Sequence, residues 1–100
     1  MPITNFSDYQ LRHMLLVIRN WLRSEQELAG EGEHVTLDAD VVESLGGNLG
    51  LDKPSSHKLT LALVEEGYLE GEYVTSHSEA TPLRYAQIRS MTQKAINEMG

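Results

Sequence analysis

The sequence of 100 residues predicts a small α+β domain. Three observations carry that expectation. Leu11, Met14, Leu15, Ile18 and Leu22 recur at three- and four-residue steps, the period of an amphipathic helix. A second apolar stripe in "KLTLALVEEGYLEG" is halted by Gly67 and gives way to an extended run. Finally, "LRYAQIR" alternates after the polar turn "SHSEATP", which predicts a hairpin.

Taken in order, Ser7 or Asp8 caps a first helix spanning about residues 8 to 28, with Arg12, Arg19 and Arg23 outside its stripe and Trp21 on its border. The helix dissolves in "AGEGEH", where two glycines remove helix propensity, and "HVTL" suits a brief strand. "TLDADVVESLGG" predicts a short second helix capped by Thr36 or Asp38, with Val41, Val42 and Leu45 inward and Gly46 and Gly47 at its end. "NLGLDKPSS" is a turn, after which Pro54, Ser55 and Ser56 open a third helix. Its stripe is Leu59, Ala62 and Leu63, with Thr60 at the edge. Leu69 and Tyr73 continue as a strand with a kink at Gly71. The returning strand places Leu83, Tyr85 and Gln87 on one face and Arg84, Ala86 and Ile88 on the other. "SMTQKAINEM" reads as a last helix, capped by Ser90 or Thr92 and apolar at Ala95, Ile96 and Met99.

A chain of this length buries roughly 65% of its unfolded surface, enough for one core without staples. It has no cysteine, which excludes disulfides and thiolate metal sites and fits a reducing compartment. No basic segment precedes a long apolar run, so neither a signal peptide nor a membrane span is expected, and a cytoplasmic location is. The net charge of −7 is uneven. Residues 24–52 hold eight acids and no Lys or Arg, leaving seven acids and eight bases elsewhere. Phosphate attraction by the whole surface is therefore weak, although a local basic face remains open.

The order helix, helix, turn, helix, hairpin, helix resembles a winged helix-turn-helix domain. The resemblance is sharpest at "LVEEGYLEG", residues 63–71. It continues into "IRSMTQKAINEM", similar to the element after the wing in small phage and prophage proteins such as the YjcQ-like group, where Ala95 stands in place of the usual Gly. It implies one domain over residues 1–100, with a three-helix core, an acidic loop and short helix at 24–48, a two-stranded wing at 68–89 and a C-terminal helix. It also implies a non-enzymatic DNA-binding or transcription-associated accessory protein of phage or prophage type.

In such a domain the third helix enters the major groove of double-stranded DNA and the wing follows the backbone. Lys53, Ser55, Ser56, His57 and Lys58 stand at the start of that helix, and residues 53–64 carry two Lys and no acid. Together with Arg84 in the hairpin they form the expected nucleic-acid contact set, with His77 as a possible addition. The plain alternative is that the serines cap and the lysines solvate. Leu61 and Glu65 on the same face, and Glu70, Glu72 and Glu79 in the wing, oppose phosphate binding. A second function is therefore retained: a protein-interaction module using an acidic or apolar surface. Trp21 and Leu61 are its candidate partner or homodimer contacts.

No chemistry is expected. His13, His34, His57 and His77 lack ligand spacing, so no metal is assigned. No Gly-x-Ser-x-Gly turn is present, "GGNLG" lacks the Lys of a phosphate loop, and Glu65 and Glu66 point apart, so no catalytic residue or cofactor is assigned.

Overall fold

A computed structural model of the chain describes residues 6–30, 32–76 and 83–99; at 76, 83 and 84 it describes the backbone alone. The expected polar turn at 77–82, with His77 and Glu79, lies outside the described residues.

Helix α1 (Asp8–Ala29) begins with a reciprocal capping box. The Gln10 amide N–H donates to Ser7 Oγ, and the Ser7 amide donates to the Gln10 side chain. Its buried residues are the five of the sequence stripe, Leu11, Met14, Leu15, Ile18 and Leu22. They form the floor of the core, and truncation of one of them, such as Leu15→Ala, removes about 2–5 kcal/mol.

Strand β1 (Val35–Leu37) follows, with Val35 and Leu37 buried and Thr36 exposed. Helix α2 (Ala39–Gly47) is capped by Asp38, whose Oδ1 accepts from the Val41 amide at 3.0 Å. Helix α3 (Lys53–Glu65) is capped not by Ser55 or Ser56 but by Asp52, whose Oδ1 accepts from the Ser55 amide at 2.8 Å. The two helices pack so closely that a Cβ on Gly46 would overlap the Ser56 side chain. That approach requires glycine at 46, which is buried in the last turn of α2, and the helix ends at Gly47 as expected.

The end of α3 is a Schellman motif. Gly67 adopts φ +81°, the Tyr68 amide donates to the Leu63 carbonyl at 2.9 Å, and the Gly67 amide donates to Val64 at 3.2 Å. An L-residue in that left-handed conformation costs about 1–2 kcal/mol. The reversal sends Tyr68 and Leu69 into the core and launches strand β2 (Leu69–Ser76).

Strand β3 (Leu83–Met91) pairs antiparallel with β2, and a register shift at Glu70/Gly71 marks the expected kink as a bulge. β3 also pairs antiparallel with β1, Val35 opposite Ile88 and Leu37 opposite Ala86, so the order is β1-β3-β2. The brief strand expected at "HVTL" therefore joins the expected two-stranded wing in one three-stranded sheet. Val35, Leu37, Ala86 and Ile88 are all buried, so pairing β1 to β3 places a continuous apolar face on the helices.

Helix α4 (Gln93–Met99) is short, and Ala95 is its buried residue. Thr92 caps it through the Ala95 amide at 3.3 Å, whereas Ser90 donates to Glu70 instead. Arg12 ties α4 to α1 by donating from Nε to the Glu98 carbonyl at 3.2 Å. Among the described residues no helix is long and apolar enough to cross a membrane.

Candidate interaction surfaces

Helix α3 carries five of the six residues expected to touch nucleic acid, and the fold divides them. Lys53 and Lys58 are exposed, and the Lys53 ammonium lies 3.7 Å from Glu43. Ser55 is half-buried and engaged in the Asp52 cap. Ser56 and His57 depart from the expected outward placement. Ser56 is fully buried against Gly46 and donates its hydroxyl to the Asp52 carbonyl at 2.8 Å. His57 is 6% exposed and lies between two side chains. Neither can reach a groove while α3 packs on α2 in this way. Arg84 stands opposite Thr75 in the hairpin, away from that helix start in sequence, and its side chain is outside the described set.

The His57 ring joins three elements. Nε2 is 2.9 Å from Glu43 Oε2 on α2, and Nδ1 is 2.7 Å from the Tyr73 hydroxyl on β2. A carboxylate only accepts, so in the neutral ring Nε2 carries the hydrogen and Nδ1 accepts from Tyr73. The hydrogen bond from His57, with the Lys53 ammonium nearby, holds the Glu43 carboxyl below its usual range. Ser55 does the same for Asp52. A carboxylate thus already occupies the amide-rich start of α3, where a phosphate would otherwise sit.

Trp21 is half-buried. It lines a shallow depression of about 230 Å³ with Asp40, Val41, Ser44 and Leu45, at the seam of α1 and α2. Val41 and Leu45 also pack on the core, whereas Asp40 and Ser44 are exposed at the rim. Leu61 is half-buried on the outer side of α3.

None of the three comparisons, with family models, with curated proteins and with solved structures, finds a match. Any functional reading therefore rests on these surfaces.

A second depression was not anticipated. A groove of about 620 Å³ runs between α1, the end of β3 and α4, lined by Arg19, Leu22, Arg23, Gln26, Ser90, Met91, Ile96 and Met99. Among the described residues Arg19 Nε is closed to solvent there without an acceptor, and an unmet buried donor of that kind costs about 1–3 kcal/mol. The four-residue spacing of Arg19 and Arg23 outside the apolar stripe was the available signal, but the opposing wall comes from residues about 70 positions later. Among the described residues no cluster of three or more His, Asp or Glu could hold a metal ion.

Proposed function

We propose that the chain is a non-enzymatic binding module on a winged-helix scaffold, and that its ligand is a protein segment bearing basic and apolar side chains. The order α1–β1–α2–α3–β2–β3–α4, with a short turn between α2 and α3 and a hairpin after α3, supports the winged-helix reading. Fold alone does not choose the ligand.

The observation that carries the functional reading is Trp21, half-buried in a depression that Val41, Leu45 and the exposed Asp40 also line. A tryptophan whose ring is partly fixed and partly open is the usual anchor of a protein interface. Glu25 lies one turn further along α1, and residues 24–52 contain no Lys or Arg. Such a rim steers a basic partner and repels nucleic acid.

Charge reversal at the rim tests this without disturbing the core. A partner captured from the native proteome at low salt is expected to be lost with the double variant Asp40→Lys/Ser44→Arg and kept with Lys58→Glu. The proposal fails if the rim variant retains that partner undiminished.

Binding of duplex DNA is the second reading, favoured by Lys53 and Lys58, which are exposed on the first turns of a helix without acids before Glu65. It requires a mobility shift at low salt that weakens steeply as salt rises and disappears in Lys53→Glu/Lys58→Glu. Absence of any shift at low salt removes it.

A further inference from the structure

We propose that the groove between α1, the end of β3 and α4 is a binding site for an aliphatic monocarboxylate, with Arg19 and Arg23 holding the carboxylate and Leu22, Met91, Ile96 and Met99 enclosing the alkyl chain.

The cations come first. Arg19 and Arg23 are four residues apart on α1, so their side chains emerge on one face and repel each other. Among the described residues neither has a carboxylate partner, in a chain with 15 acids and eight Lys and Arg. Arg19 Nε is shut off from solvent and has no acceptor among the described residues, so an anion reaches this guanidinium through its terminal nitrogens. A carboxylate there supplies the missing counter-charge and matches the planar donor fork of arginine.

The other side-chain donors of the groove are already engaged. Gln26 Nε2 donates to the Glu33 and Arg89 carbonyls at 2.9 and 2.8 Å, and Ser90 donates to Glu70 at 2.7 Å. The two guanidinium groups are therefore the polar end of the site, and the remaining wall is aliphatic. Ile96 is 50% exposed although it faces this wall, and two thioethers beside it adapt readily to a flexible chain. A volume of about 620 Å³ falls within the roughly 300–1,000 Å³ typical of small-molecule sites. One charged end and one apolar wall select an amphipathic monoanion rather than a polyphosphate. The site is separate from the Trp21 depression, because residues 19 and 23 project about 160° around the helix from residue 21.

Decanoate is a suitable probe. Titrated into the protein, it is expected to shift the methyl resonances of Met91 and Met99 and to raise Tm as its concentration rises to about 1 mM. Decanol and decyltrimethylammonium should bind at least tenfold more weakly. Arg23→Gln, an exposed substitution, should weaken decanoate at least fivefold, and Arg19→Met should do so while keeping the buried stem. Binding should survive in Asp40→Lys/Ser44→Arg, so this result stands or falls apart from the protein-partner proposal. No methyl shift with decanoate, equal binding of decanol, or undiminished binding in Arg23→Gln would each overturn the assignment. A response at Met91 and Met99 to an acidic amphipathic peptide but not to decanoate would overturn it too.

Discussion

Thr92 donates its hydroxyl hydrogen to the Gly67 carbonyl across 2.6 Å, joining the glycine just past α3 to the residue that caps α4. The same oxygen approaches the Tyr68 carbonyl at 3.1 Å, and Lys94 adds a hydrogen bond to the Glu66 carbonyl at 2.7 Å while lying over the Tyr68 ring. The Glu66, Gly67 and Tyr68 carbonyls just past α3 thus accept from donors about 25 residues away in sequence. Replacement of Thr92 by Val keeps the shape and removes the donor. The expected loss is about 1–2 kcal/mol. Thermal unfolding checks it, at about 4–8 °C per kcal/mol for a domain of this size.

Gly46→Ala should destabilise the fold by about 1–3 kcal/mol, because the new methyl group meets Ser56 rather than open space. Gly47→Ala is the control, since a Cβ there meets nothing. Denaturant midpoints should fall for the first variant and hold or rise for the second. Ser56→Gly introduced beside Gly46→Ala should recover part of the loss, since the two changes share one contact.

The link from β2 to α3 can be cut with one atom. Tyr73→Phe removes the hydroxyl that His57 Nδ1 meets at 2.7 Å, leaving a nearly buried ring nitrogen without that donor. The expected cost is about 1–2 kcal/mol. Faster amide exchange through β2, with little change in α1, distinguishes loosening of the hairpin from general unfolding.

Acidity should act through Glu43. Its carboxyl is held below the ordinary value of 4.5, first by the His57 hydrogen bond. The folded state therefore favours the charged form more than the unfolded chain does. That contribution is complete above the unfolded value and fades as pH falls through the lower folded one. Glu43→Gln keeps a side-chain acceptor near His57 but cannot titrate. The stability advantage of the wild type over this variant should shrink as pH is lowered from about 6 to 3, as measured by urea midpoints.

Much of the architecture was legible because its causes are local. The five-residue stripe of α1, the Gly67 reversal and the alternation around Ala86 and Ile88 each follow from residues near in sequence. The buried face of α3 was harder to see. Ser56, His57, Leu59, Thr60 and Leu63 are the buried set, at steps of one, two, one and three residues, but three of them are polar. Thr60 escapes penalty by donating to the Ser56 carbonyl, and Ser56 by donating to Asp52. Those local bonds let polar side chains occupy a core stripe and made Ser56 look available for a ligand. Asp52 was overlooked as cap because Ser55 and Ser56 have the same competence. The His57 linkage and the Arg19/Arg23 groove depend on partners from distant elements, and no spacing rule within one helix reports them.

The bulge at Glu70/Gly71 bears on how the molecule behaves in a crowd. Among the described residues β2 pairs on one side only, so its other edge is a template for a foreign strand. The bulge breaks the regular spacing of that edge, and exposed Glu72, with Glu70 that is paired to Arg89 at 3.8 Å, places carboxylates along it. Two molecules approaching edge to edge would bring these acids together. The same hairpin that completes the sheet is thereby guarded against polymerising into fibrils.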